Sequence, residues 1–171
     1  MAAKMPRPGG DSTKTALTHV ENTLDPIIFP DSRVLLLGSM PSPKSREIGF
    51  YFGNPQNRFW RVVAALYGEK PLKSIPEKID FCKRHHLALC DVLKACDIKG
   101  ASDASIANPV PHNIGALIQD SSICAIFTLG GTATKFYKRY TEQQTGISSR
   151  QLPSTSPANA LSLIHISEPT R

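Results

Sequence analysis

Apolar residues along the chain fall into short runs separated by polar stretches rich in Gly and Pro. "RVLLLGS" (33–39) is an unbroken apolar run closed by Gly38, the pattern of a strand covered on both faces. "HLALCDVL" (86–93) and "ICAIFTLG" (123–130) repeat it, and "RQLPSTSP" (150–157) reads as a short last strand running into a polar loop. Between these runs the period changes. "NRFWRVVAALYG" (57–68) sets Phe59, Val62, Val63, Leu66 and Tyr67 on one helical stripe and ends at Gly68. Residues 75–85 form a second predicted helix with Pro76 in its first turn, 112–120 a short third, and 133–144 a fourth with a basic outer face. Residues 94–111, with Gly100, Asn108, Pro109 and Pro111, show no period and read as irregular. Residues 1–23 read as a mobile tail. Strands alternating with helices predict an α/β fold over residues 24–160. The expected form is a three-layer sandwich with a central, mostly parallel four-stranded sheet flanked by helices.

Composition narrows the class only partly. The 171 residues carry a formal net charge of +6, which admits a polyanionic partner without requiring one. Cys82, Cys90, Cys96 and Cys124 form no C-x-x-C pair, and His85 and His86 complete no zinc spacing. Four buried thiols in a reducing compartment are expected. No signal-like or membrane-spanning apolar run occurs, so an intracellular protein is expected, nuclear in a eukaryote and otherwise cytoplasmic. "LGGTAT" lacks the Lys of a phosphate-binding P-loop, and no Ser-His-Asp pattern is visible. The acidic residues do not group as a metal-dependent nucleoside hydrolase would need.

Ligands of parallel sheets bind beyond the carboxyl ends of the strands. Three polar loops are delivered there: "GSMPSPKS" (38–45), "GGTAT" (130–134) and "LPSTSP" (152–157). Each alone is an ordinary Gly-, Pro- and Ser-rich turn. The first leads into "YFGNPQNRFW" (51–60), where Asn54, Gln56, Asn57 and Arg58 sit among Tyr51, Phe52, Phe59 and Trp60. A pocket for a flat heterocycle needs both kinds of residue: ring faces to stack on it, and amides that donate and accept at its edge.

In their order and sheet positions, "LLLGSMPSPKS", "YFGNPQNRFWRV" and "LPSTSPANA" resemble the signature segments of the uracil-DNA glycosylase superfamily. The closest similarity is to its hypoxanthine-DNA glycosylase branch, over roughly residues 30–160. That resemblance implies a monofunctional DNA glycosylase acting in base excision repair. It would hydrolyse the N-glycosidic bond of a flipped-out deaminated base, hypoxanthine first and uracil second, without a cofactor or metal. The implied partner is double-stranded DNA containing such a base, met by a monomer with no membrane partner.

The resemblance also distributes roles. Asn57 matches the branch's functional Asn and would orient water; the alternative role for it is a helix N-cap. Tyr51 or Phe52 would stack on the base, while Phe59 and Trp60 belong to the core by their spacing. Gly38, Ser39 and Met40 would meet the base edge. Pro41, Ser42, Ser45, Ser154, Ser156 and Pro157 would hold phosphates, with added charge from Lys44, Arg46, Arg58 and Arg61. Asn54 stands where the family often has His. Asp91, at the end of the second strand, could hydrogen-bond a pocket group, but a turn or cap is the role expected of it. "LSLIHISEPTR" (161–171) departs from the family's closing helix and reads as a truncated or foreign terminus. Two other readings follow from these features: a catalytically weak or inactive nucleic-acid-binding relative, and a truncated, non-functional fragment.

Overall fold

A computed structural model describes residues 16–157. Its layering follows from the alternation in one strand. In β2 (Val34–Gly38), Leu35 and Leu37 point to one face and Leu36 to the other, and all three are buried. On the first face they meet Ile114, Ala133, Phe136 and Tyr137. On the second, Leu36 lies with Phe50, Tyr51, Phe59, Trp60, Phe81 and Cys82. A run of consecutive apolar residues is therefore what a strand covered on both sides requires.

Preceding β2 is β1 (Thr18–Glu21), and after it the chain continues α1 (Pro43–Ile48), α2 (Phe59–Leu66), α3 (Ile75–Arg84), β3 (Leu87–Asp91), β4 (Leu93–Lys99) and β5 (Ser102–Pro111). It then forms α4 (Ile114–Ile118), β6 (Ala125–Leu129), α5 (Gly131–Tyr140), α6 (Glu142–Thr145) and β7 (Ser149–Leu152). The central sheet has the order β3-β2-β6-β7, with every pair parallel. The predicted α/β fold and its four parallel strands are thus the observed ones. Ser74 caps α3 by accepting from Glu77 N–H at 3.2 Å, and Pro76 lies in the first turn.

Two expectations are corrected. Residues 94–111 are not irregular: β4 and β5 form an antiparallel hairpin, and β1 adds to β4 as the third strand of a second sheet. Register shifts interrupt the β4–β5 ladder, and Asn108 has φ +48°, which blurs the alternation that marks a strand. Pro109 and Pro111 are tolerated because β5 is an edge strand. The predicted tail accordingly ends sooner, since Thr18–Glu21 pairs with Ala95–Ile98. Val20, Cys96 and Ile98 carry this sheet's apolar face into the first core.

Smaller differences concern single side chains. Helix α2 is rotated from its predicted stripe, burying Phe59, Trp60 and Ala64 and leaving Leu66 77% exposed. Cys82, Cys90 and Cys96 are buried thiols, but Cys124 is exposed. The atypical segment 161–171 and most of the N-terminal tail lie outside the described residues. Among the described residues, no helix is long and apolar enough to cross a membrane.

Candidate active site

The chain leaves β2 for β3 on one side and returns to β6 on the other. The carboxyl ends of these central strands therefore open on a crevice. A cavity of about 600 Å³ lies there. Around it the structure gathers the residues the sequence assigned to the base, the water and the two Ser/Pro loops, while Lys44, Arg46, Arg58 and Arg61 do not line it. Gly38, Ser39, Met40, Pro41, Ser42 and Ser45 follow β2; Tyr51, Phe52, Asn54 and Asn57 precede α2; Ser154, Ser156 and Pro157 follow β7. It adds Asp91, Thr155, the Gly130–Thr132 turn and the 100–104 tip of the β4–β5 hairpin.

Backbone hydrogen bonds fix these loops to one another. Val92 N–H donates to Gly38 C=O at 2.8 Å, and Leu93 N–H to Ser39 C=O at 3.1 Å. Gly130 N–H donates to Leu152 C=O at 2.8 Å, and Arg58 N–H reaches Thr155 C=O at 3.1 Å. The loop after β7 is thereby tied both to β6 and to the start of α2. Gly130 has φ +90°, and a Cβ there would stand 3.1 Å from Ser154 Cβ, so that turn needs glycine.

Within the loop after β2, Ser42 caps α1: its hydroxyl accepts from Ser45 N–H at 3.1 Å and donates to Ser45 Oγ at 3.0 Å. Ser45 is buried and accepts from Gly53 N–H at 3.1 Å. Its hydroxyl locks the loop to the aromatic segment and is not presented outward. Met40 is also buried and packs in the first core while bordering the cavity.

The aromatic segment divides its two leading rings. Tyr51 is 2% exposed, and its hydroxyl donates to Leu24 C=O at 3.4 Å. Burial pushes its phenol far above the ordinary range. Trp60 Nε1 donates to Tyr51 C=O at 2.9 Å, pinning the strand of aromatics from below. Phe52 instead has φ +52°, a left-handed conformation rare for a bulky residue. Its ring lies at the cavity, stacked on Phe59 with centroids 4.0 Å apart.

Asn57 is not the N-cap expected of it, since Arg58 holds that position and makes no side-chain cap bond, but its side chain still serves the helix start from one residue earlier. Its Oδ1 accepts from Phe59 N–H at 2.9 Å, satisfying a donor at the start of α2. Its own N–H donates to Asn54 C=O at 2.8 Å, which fixes the turn. A carboxamide oxygen carries two lone pairs, so the bond to Phe59 leaves one acceptor position for a second donor. Asn54 Oδ1 accepts from Gln56 N–H at 3.0 Å and shapes the same turn.

Sequence reasoning singled out one acid but favoured the wrong role for it, and missed a second. Asp91 ends β3 as the register partner of Gly38; it is 3% exposed and borders the cavity. It is therefore a buried strand-end acid and not the turn or cap residue expected. Asn22 Nδ2 donates to its Oδ2 at 3.1 Å, and burial pushes its carboxyl up to about 7, with nearby Asp103 adding to the shift. Asp103 comes from the hairpin and accepts from Ser39 Oγ at 2.5 Å. The signal for Asp91 was its place at a strand's carboxyl end. Asp103 had none, because its hairpin was read as irregular.

This cavity, bounded by the two Ser/Pro loops and the Asn57 turn, is the setting in which similarity to known proteins acquires meaning. Residues 26–166 match the profile of the uracil DNA glycosylase superfamily. The chain belongs to that superfamily. A hypoxanthine DNA glycosylase of Methanosarcina acetivorans is 29% identical over 134 residues, covering 78% of this chain and 84% of that protein. One from Methanosarcina barkeri is 29% identical over 140 residues, covering 81% and 87%. A solution NMR structure of a Methanosarcina acetivorans protein, provisionally titled a uracil DNA glycosylase, aligns with a TM-score of 0.71 at 28% identity. That alignment covers 85% of this chain and 88% of the other. The superfamily member described here is a DNA glycosylase, a hydrolase of N-glycosidic bonds, and its fold is the one these relatives share.

Proposed function

We propose that the protein excises a deaminated base, hypoxanthine first, from double-stranded DNA. The observation that carries this reading is the meeting of Asn57, the Phe52 ring and two Ser/Pro loops around one cavity. The nucleotide turns out of the duplex into that cavity, and Phe52 stacks on the base. Gly38, Ser39 and Met40 border its edge. Pro41 and Ser42 on one side, and Ser154, Ser156 and Pro157 on the other, flank the DNA backbone. Ser45 acts behind them, through its bonds to Ser42 and Gly53.

In the chemical step, the bond between the sugar's C1′ and the base nitrogen breaks. The electron pair leaves with the base, and positive charge grows on the sugar. The free lone pair of Asn57 Oδ1 holds a water against C1′; its oxygen forms the new bond, its proton passes to solvent, and the departing base takes up a proton from solvent in turn. The products are the free base and an abasic site. Among the described residues, no lysine lines the cavity. An amine nucleophile for strand cleavage is therefore not supplied there, which favours simple hydrolysis. The two relatives named as hypoxanthine DNA glycosylases support hypoxanthine as the first base. The reading places the protein inside the cell, working as a monomer on DNA.

The test is incubation with duplexes carrying hypoxanthine, uracil or xanthine, followed by hot alkali. Strand breaks at the hypoxanthine are expected. Intact strands with every deaminated base, from folded protein, would overturn the proposal.

A further inference from the structure

The β4–β5 hairpin brings a carboxylate to a cavity meant for a base in polyanionic DNA. Asp103 is half-buried and borders the cavity. Its Oδ2 accepts from Ser39 Oγ at 2.5 Å, and no Lys or Arg forms an ion pair with it among the described residues. A carboxylate accepts hydrogen bonds and donates none, so its other oxygen can pair only with a donor. Phosphate oxygens are acceptors and cannot fill that place.

A deaminated base can. Deamination of adenine turns N1 from a lone-pair acceptor into an N–H donor, and deamination of cytosine does the same at N3. A carboxylate at this edge attracts the new N–H and repels the lone pair of the parent base. We infer that Asp103 is a specificity-determining residue whose carboxylate, held by Ser39, accepts the ring N–H that deamination creates. This rests on the glycosylase reading above. Ser39 is the positioning residue: its hydroxyl occupies one carboxylate oxygen and turns the other toward the base.

The test is Asp103→Asn, which is nearly isosteric and still accepts from Ser39 through its carbonyl oxygen. Its amide then presents N–H to the cavity, opposed to the base N–H. Single-turnover release is compared on duplexes containing hypoxanthine and containing unsubstituted purine, which keeps a lone pair at N1. The wild-type preference for hypoxanthine over purine should fall about 10- to 100-fold in the variant. Affinity for abasic-site duplex, which has no base to read, should stay within about twofold, by the same reasoning. An unchanged preference overturns the assignment, and so does an equal loss of abasic-site binding, which would make the Asp103–Ser39 bond a latch for the hairpin. If the wild-type protein releases no deaminated base, the glycosylase reading fails and this inference with it. A wild-type enzyme that releases hypoxanthine while Asp103→Asn keeps its preference removes the inference alone.

Discussion

The carboxylate of Asp91 occupies the space a side chain at Gly38 would need. The two residues are register partners at the ends of neighbouring strands, and a Cβ built on Gly38 would lie 2.5 Å from Asp91 Oδ1. The absence of a side chain at 38 is thus what allows an acid to be buried at the cavity floor.

Gly38→Ala should destabilise the protein by about 1–3 kcal/mol, since a buried carboxylate has little room to retreat. The clash should be partly relieved in the Gly38→Ala, Asp91→Ala pair, whose combined cost should be less than the sum of the single costs. Denaturant midpoints of the four proteins check this. Additive losses would mean that the two residues do not compete for the same space.

Asp91 also predicts a pH dependence. Its carboxyl is raised from an ordinary value of 3.8 to about 7, first by burial and then by nearby Asp103, against the hydrogen bond from Asn22. Between these values the folded protein holds a proton that the unfolded chain has released. The contribution is therefore fully present below about pH 4 and is lost as pH rises towards 7, with a slope of up to about 1.4 kcal/mol per pH unit. Asp91→Asn keeps an acceptor for Asn22 and has no charge to bury. It should be more stable than wild type at pH 8, and the difference should shrink towards pH 4. Equal stability differences at both pH values would show that Asp91 is charged in the fold throughout.

The phosphate-facing assignment separates hydroxyls by what they already do. Ser45 is inside the loop, bonded to Ser42 and to Gly53 N–H, so Ser45→Ala should lower stability by about 1 kcal/mol and affect every substrate through the fold. Ser154 Oγ also accepts from Ser156 N–H at 3.2 Å, so Ser154→Ala should carry a stability cost as well, but Ser154→Ala and Ser156→Ala should both weaken binding to damaged and undamaged duplex alike. Thermal midpoints alongside binding isotherms distinguish the classes. A Ser154 or Ser156 change that altered base preference while sparing binding to undamaged DNA would remove the phosphate role.

The sequence foretold the central sheet better than the second one, for a physical reason. Buried parallel strands such as Val34–Gly38 must be apolar on both faces, and that pattern needs no partner to be recognised. The β4–β5 hairpin has one covered face, shifted registers and prolines on its edge, so its alternation is broken and Asp103 passed unnoticed. Tyr51 and Phe52 show a different limit. Composition made either ring eligible to stack; both border the cavity, and only the structure shows that Tyr51 is buried while Phe52 takes a positive φ. Asn57 was legible because amides in a row among aromatic rings fit neither a core nor an ordinary surface loop.

Asn57 joins support of the helix start to the proposed chemistry in one side chain, and the two contributions can be separated. Asn57→Ala removes the acceptor for Phe59 N–H, so it should cost about 1 kcal/mol of stability. If the same oxygen also holds water against the sugar, the single-turnover rate should fall by about 10²–10³ while DNA affinity changes little. Asn57→Ser keeps a hydroxyl that can serve the helix start and lacks the carboxamide. It should therefore regain most of the lost stability and little of the lost rate. A serine variant that releases base at the wild-type rate would confine Asn57 to the helix start and shift the search for the water-holding group to the main chain of residues 38–42 and to Asn54.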